Sequence, residues 1–256
     1  MKGFDPIQLT KATEKVVVEG NRRKYARLAR PLRFYGGITS ATEVGCNLRC
    51  KFCFSDTPVR KPQTTGKFYT PKEVFNALQK GAIKHGHKLI SASASEGTLG
   101  RQHLLELLEL VDQSDLVFVL ETNGITIGHD KDFATELSRF NNLHVRLSVK
   151  GANEEEYSIL TGANPESYKL QYKGIENLVN AKVSVNVCLM ASFSDEKGIE
   201  TVKTRLQKIH PGLLKALEIE HITLFPKVLQ RLTKHKLLPN KVRQSGKIVQ
   251  LEGVRV

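Results

Sequence analysis

The chain has few cysteines, no apolar run long enough to cross a bilayer and, over most of its length, no net charge. Four cysteines occur in 256 residues. The start, Met1-Lys2-Gly3-Phe4-Asp5, lacks the apolar region of a secretory signal. Both features point to the reducing cytosol, where cysteines serve metal or redox chemistry more often than disulfides. No apolar stretch approaches the roughly 18 residues of a membrane span. There is no internal repeat, no low-complexity tract and no glycine-rich dinucleotide fingerprint. Hydrophobic residues make up 40% and charged residues 25%, a balance that excludes a disordered chain.

Charge is present, but it is placed unevenly. Lys and Arg number 39 against 26 Asp and Glu, a formal net charge of +13. Residues 1–35 carry nine basic and three acidic side chains, and residues 227–256 carry eight basic ones against Glu252. The stretch 36–226 holds 22 of each sign and is neutral. The expected organisation is a basic N-terminal extension (1–35), a neutral body (36–226) and a basic C-terminal extension (227–256). Arg22-Arg23-Lys24-Tyr25-Ala26-Arg27 interleaves cations with an aromatic. If both ends fold toward the body's mouth, they form a cationic collar suited to RNA or a phosphorylated metabolite. Otherwise they are solvated arms.

Within the body, strand and helix signals alternate. Strands are expected at Ile38–Val44, Lys88–Ser95, Asp115–Glu121, Leu143–Lys150, Lys182–Met190 and Leu217–Phe225. Thr70-Pro71-Lys72-Glu73 reads as a capping box that opens a helix running to His85 and ending at Gly86. Further helices are expected at Arg101–Val111, Asp132–Phe140, Glu166–Ala181 and Asp195–Ile209. Such alternation implies parallel strands with right-handed crossovers. Six units predict an α/β fold, a partial, open (β/α)6 TIM-like barrel. Polar clusters then collect at the C-terminal strand ends, where barrel active sites lie.

The first such end is Gly45-Cys46-Asn47-Leu48-Arg49-Cys50-Lys51-Phe52-Cys53, a C-x3-C-x2-C loop. Three thiolates on one short loop can hold three corners of an iron–sulfur cube. A zinc site would need a fourth ligand, for which His85, His87 and His103 are candidates. Cys188 lies in an apolar strand pattern and reads as a small buried hydrophobe.

Cys46-x3-Cys50-x-Phe52-Cys53 resembles the cluster motif of the radical S-adenosylmethionine (radical SAM) superfamily. Ser93-Ala94-Ser95-Glu96-Gly97-Thr98-Leu99-Gly100 resembles that family's S-G-G-E-P-T-L-G segment, departing at Ala94, Ser95 and Gly97. Glu121-Thr122-Asn123-Gly124 is similar to its E-T-N-G segment; read alone, Asn-Gly is a tight-turn pair. Arg146-Leu147-Ser148-Val149-Lys150-Gly151 resembles the D-x-K arrangement of glycyl-radical activating enzymes, with Ser148 in place of the acid. Within the superfamily the chain looks most like small activating-enzyme-like members and archaeal relatives. That likeness rests on Arg33-Phe34-Tyr35-Gly36-Gly37-Ile38 and Leu160-Thr161-Gly162-Ala163.

The resemblance implies a partial barrel holding a [4Fe-4S] cluster on Cys46, Cys50 and Cys53, with one iron open to S-adenosylmethionine. It places Phe52 against the adenine and the Ser93, Ala94, Ser95 and Glu96 segment at the methionine amine. Asn123 falls near the ribose, and Ser148 and Lys150 at the carboxylate. It implies reductive cleavage to a 5′-deoxyadenosyl radical that abstracts hydrogen from a substrate, and an electron donor such as ferredoxin or flavodoxin. The substrate is open between RNA or a phosphorylated metabolite and a partner protein. The departures at Ala94, Ser95 and Gly97 also admit a non-enzymatic iron–sulfur protein with a degenerate cosubstrate site. No catalytic residue for the substrate is identifiable. Asn186, His221, Tyr69, Tyr157 and Tyr168 are strand-end or structural candidates.

Overall fold

The computed structural model describes residues 3–250. Lys2, Glu252 and Arg255 of the two basic ends lie outside them. In chain order the elements are α1 (Pro6–Val17), β1 (Val18–Glu19), β2 (Arg22–Leu32), β3 (Ile38–Glu43), α2 (Thr57–Arg60), β4 (Lys67–Tyr69) and α3 (Pro71–His85). There follow β5 (Leu89–Ser93), α4 (Arg101–Asp112), β6 (Val117–Thr122), α5 (Ile125–His129), α6 (Lys131–Leu137), β7 (Leu143–Lys150), α7 (Glu154–Thr161) and α8 (Tyr168–Asn180). The last are β8 (Val185–Met190), α9 (Glu196–Ile209), α10 (Gly212–Lys215), β9 (Glu218–Glu220), α11 (Pro226–Lys234), β10 (Lys241–Gln244) and β11 (Lys247–Gln250).

Local chemistry sets several of these ends. Thr70 accepts from the Glu73 amide and Glu73 answers on the Thr70 amide, the expected capping box, with Pro71 in the first turn and Gly86 left-handed at the other end. Asp195 caps α9 by accepting from Gly198, and Asp5 caps α1 by accepting from Ile7.

The six expected strands are β3, β5, β6, β7, β8 and β9, parallel and adjacent in that order. The order does not close on itself, so the barrel is open. The N-terminal segment joins the sheet: β2 runs antiparallel on β3 and carries β1 and β4. Arg23 of this basic stretch is 1% exposed. It pairs with Glu43 at 2.8 Å and donates to the carbonyls of Glu96 (2.6 Å) and Gly97 (3.1 Å). At that position the basic end is neither a solvated arm nor a collar; it is part of the frame under the 96–97 turn.

The period of two divides each strand between two faces. Phe118 and Leu120, Val145 and Leu147, and Val187 and Leu189 belong to the hydrophobic core. Glu121, then Arg146, Ser148 and Lys150, then Asn186 and Cys188 occupy the alternate positions of the same strands, on the concave face. None of the described helices is long and apolar enough to cross a membrane.

Candidate active site

The cysteine loop follows β3 and is tied to each neighbouring loop by its own backbone and by Asn47. The Glu96 amide donates to the Gly45 carbonyl at 3.1 Å, next to Cys46. Asn123 Nδ2 donates to Asn47 Oδ1 at 2.7 Å. The amides of Arg49 and Lys51 donate to Thr161 (3.2 Å) and Leu160 (2.8 Å), carbonyls left free at the C-terminal end of α7. That contact explains the Leu160-Thr161 pair singled out in the sequence.

All four cysteines are free thiols. Burial pushes the Cys46 thiol far up, and the Glu96 field adds to it. Burial pushes Cys50 up to about 12, with Lys150 the largest charge opposing it. The three loop thiols are not gathered within 4.8 Å of one another, whereas Cys188, Glu218 and Glu220 are. A mononuclear zinc site with bonds near 2.3 Å needs sulfurs roughly 3.8 Å apart. Three thiols on one short loop are a donor set suited to an iron–sulfur cluster. The candidate histidine ligands are engaged elsewhere. His87 pairs with Thr39 at 2.9 Å and stacks on His85, while His103 pairs with Tyr25 and the Asn21 carbonyl.

After β5, Ala94 adopts φ 73°, the left-handed conformation that glycine takes without strain. The turn expected from the glycine-rich segment is therefore retained with alanine in it. Ser93 Oγ bonds Ser40 Oγ at 2.8 Å, and Ser95 Oγ donates to the Glu43 carbonyl at 2.9 Å. Gly97 is required by close approach, because a Cβ there would lie 2.6 Å from Leu120 Cδ1 and 2.9 Å from the Glu121 carbonyl.

Glu96 is buried, and both its oxygens are occupied. Oε1 accepts from the Thr98 amide (3.2 Å), Thr98 Oγ1 (2.7 Å) and Thr122 Oγ1 (2.5 Å); Oε2 accepts from the Asn123 amide at 2.9 Å. It staples the β5 loop to the β6 loop. Asn123 is equally committed: its Oδ1 accepts from the Ile125 amide at 3.1 Å. Gly124 takes φ 77° and opens α5 instead of closing a hairpin.

Lys150, at the end of β7, is different. Among the described residues its ammonium donates to Ser148 Oγ at 2.5 Å, which leaves donors to spare. It lies 5.9 Å from the centre of the Phe52 ring, and that ring is 6.0 Å from Phe193.

Residues 42–204 match the family model of the radical SAM superfamily. The chain belongs to that superfamily. Its cofactors are those of radical SAM enzymes, a [4Fe-4S] cluster and S-adenosylmethionine. A protein of Methanocaldococcus jannaschii named "Putative glycyl-radical enzyme activating enzyme" is 28% identical over 166 residues, covering 62% of this chain and 58% of that one. SuiB of Streptococcus suis bound to S-adenosylmethionine superposes with a TM-score of 0.57 at 16% identity, over 75% of this chain and 44% of SuiB. The AdoMet-bound anSMEcpe gives 0.52 at 20% identity, over 74% and 57%. At these identities the structural likeness is one of fold. The radical SAM chain spans less than two thirds of each of these relatives.

Beneath Lys150 the concave face holds a charged cluster that sequence reading missed. Arg146 Nη2 donates to Glu218 Oε2 and Glu220 Oε1, both at 2.7 Å, and to Cys188 Sγ at 2.9 Å. Asn186 Nδ2 donates to Glu218 Oε1 at 2.5 Å, and Asn186 Oδ1 meets His144 Nε2 at 2.9 Å. Burial raises the Glu121 pKa, with the Arg146 field opposing it. Cys188 is buried as expected, but among charges rather than apolar side chains, because it sits on the concave face of β8. The signal was available: Glu218 and Glu220 alternate, as do Arg146, Ser148 and Lys150. Among the other candidates, Tyr157 bonds Ser167, and Tyr168 donates to the Gly151 carbonyl. Tyr69 packs edge-on to Tyr25. His221 is buried with Nδ1 unpartnered.

Proposed function

We propose that this radical SAM chain is an activating-type enzyme whose substrate is a partner protein. Cys46, Cys50 and Cys53 would hold the cluster. The Ser93-Ala94-Ser95 edge, braced by Glu96, would receive the cosubstrate amine. Phe52 would lie against the adenine, Asn123 would fix the loop beside the ribose, and Lys150 with Ser148 would take the carboxylate. When bound, the cluster and S-adenosylmethionine supply one-electron reductive cleavage and an organic radical able to take a hydrogen atom. The chain's own residues orient, neutralise charge and exclude water. The observation that carries the cosubstrate site is the Lys150 ammonium, with donors to spare, bonded to Ser148 and 5.9 Å from the centre of the Phe52 ring.

The name of the Methanocaldococcus relative supports a protein substrate. So does the concave face. Arg146 there is already committed to Glu218 and Glu220, so its charge is not free to receive a phosphate-rich chain. A nucleic-acid substrate is therefore the weaker reading. The retained turn at Ala94 weighs against a degenerate cosubstrate site. The free thiols suit the reducing cytosol, with ferredoxin or flavodoxin as electron donor.

The test is anaerobic reconstitution followed by reduction with S-adenosylmethionine present. Formation of 5′-deoxyadenosine is expected; an intact, reduced cluster that forms none would sink the enzymatic reading. Cell extract should raise the yield. Protease treatment of the extract should abolish that stimulation, and sensitivity to ribonuclease instead would reverse the choice of substrate.

A further inference from the structure

The backbone of the cysteine loop is held by guanidinium groups. Arg49 Nη1 donates to the carbonyls of Cys46 (2.6 Å) and Leu48 (2.9 Å), and Arg60 Nη2 to that of Cys50 (2.8 Å). Both belong to the loop or to the helix that follows it. The third comes from the far end of the chain. Arg231 of α11 donates through Nε to the Lys51 carbonyl at 3.1 Å and through Nη2 to the Cys53 carbonyl. Its Nη1 lies 2.5 Å from Asp56 Oδ1.

Asp56 is where the loop ends, and its backbone is unusual. It holds φ 43° and ψ −94°, outside the regions open to most residues. Such a conformation persists only when its surroundings over-determine it. Here three cations converge on one carboxylate: Arg231, Lys227 at 2.9 Å and Arg60 at 3.7 Å. On α11, Val228 and Leu232 are buried beside the gripping residues. The segment after α11 is anchored in turn, since the Asn240 and Arg243 amides donate to the carbonyls of Ser192 and Ile222. The C-terminal segment therefore joins the loops after β8 and β9 to the loop after β3.

We infer that Arg231 is a positioning residue for the cluster: it locks the Lys51–Asp56 half of the loop and sets a positive charge on the backbone carbonyl of Cys53. This rests on the reading that those cysteines hold the cluster. The physical consequence has a sign. A reduced cluster carries one more negative charge than the oxidised one, so a nearby cation favours reduction and raises the potential. A guanidinium bonded to two carbonyls and a carboxylate also fixes geometry in a way that an ammonium cannot.

The experiment compares the full chain with Arg231→Met and Arg231→Lys. In the cluster-free proteins, amide exchange over residues 53–60 should be at least tenfold faster in both variants. After anaerobic reconstitution, Arg231→Met should take up iron and sulfide like the parent, show a lower midpoint potential in an EPR-monitored titration and bleach in air several-fold faster. Arg231→Lys should recover the potential without recovering the exchange protection. If Arg231→Met matches the parent in exchange, potential and bleaching, the inference is wrong. If Arg231→Met does not fold, Asp56→Asn loosens the same grip without emptying the helix: exchange over residues 53–60 should again be faster, whereas the potential should rise because a negative charge is removed, and parent-like exchange would overturn the inference. A parent chain that binds no cluster overturns the cluster reading instead, and the exchange measurement still decides the clamp.

Discussion

Asn47 and Asn123 bond side chain to side chain, Nδ2 of Asn123 donating to Oδ1 of Asn47 at 2.7 Å, both residues buried. One bond thereby fixes the loop after β6 to the cysteine loop next to Cys46. Asn47 also donates to Thr10 Oγ1 of α1 at 3.1 Å.

Asn47→Ala removes a donor and an acceptor from this buried network. An unmade buried bond costs about 1–3 kcal/mol. At about 2–4 °C per kcal/mol for a chain of this size, a fall in Tm of roughly 2–12 °C is expected. The weakened loop should also lower iron content after reconstitution. Differential scanning calorimetry and iron analysis check both; a variant that melts with the parent would deny Asn47 this role.

Ala94 holds φ 73°, where a Cβ is unfavourable by roughly 1 kcal/mol. Ala94→Gly should therefore raise stability slightly or leave it unchanged, and retain S-adenosylmethionine binding. Ala94→Val should destabilise by more than about 2 kcal/mol, because a β-branched residue at positive φ is strained further. Chemical denaturation of the three proteins provides the comparison, and equal midpoints would contradict the strained turn.

Lys150→Met should leave iron content intact and weaken S-adenosylmethionine binding by about ten- to a hundredfold, the loss of a charge-assisted bond of about 1.5–3 kcal/mol. Calorimetric titration of the reconstituted protein measures it. Unchanged affinity would remove Lys150 from the cosubstrate site.

Each of Cys46→Ala, Cys50→Ala and Cys53→Ala should abolish the cluster absorbance, whereas Cys188→Ala should keep it. Cys188 is committed to Arg146 and lies with Glu218 and Glu220. Loss of the cluster in Cys188→Ala would make it a fourth ligand and close the open iron.

His103 provides a pH dependence. Its Nδ1 donates to the Asn21 carbonyl, so Nε2 accepts from Tyr25 in the neutral ring. Burial lowers its pKa to about 4 from 6.5, against the Asn21 bond, which raises it. A depressed pKa on a base means that the folded chain binds this proton less readily than the unfolded one. The stabilisation is present above pH 6.5 and is lost as pH falls from there toward 4, on the order of 3 kcal/mol. Tyr25→Phe with His103→Leu should flatten that window in acid denaturation curves. An unchanged acid limb would assign the loss to other groups.

Much of the barrel was legible along the chain because it is written in local chemistry. The Thr70–Glu73 box, the Leu143–Lys150 strand and the helix expected over Asp195–Ile209 each depend on residues within a turn or two of one another. The cysteine spacing was legible for the same reason, since three thiols on one loop need no distant partner to be recognised. The cluster of Arg146, Cys188, Glu218 and Glu220 was not, because it forms only when β7, β8 and β9 lie side by side. Cys188 reads as apolar from its neighbours Val187 and Leu189, which face the other way.

By itself, then, the sequence determined the alternating elements, the cysteine loop and the family's segments at the strand ends. Only the tertiary structure decided what the two basic ends do. Net charge counts side chains without saying where they go. Packing buries Arg23 against Glu43 beneath the 96–97 turn and brings Arg231 onto the loop of Cys53. Both contacts span long stretches of chain, and a charge acts through the few ångströms to its partner, not through its place in the sequence.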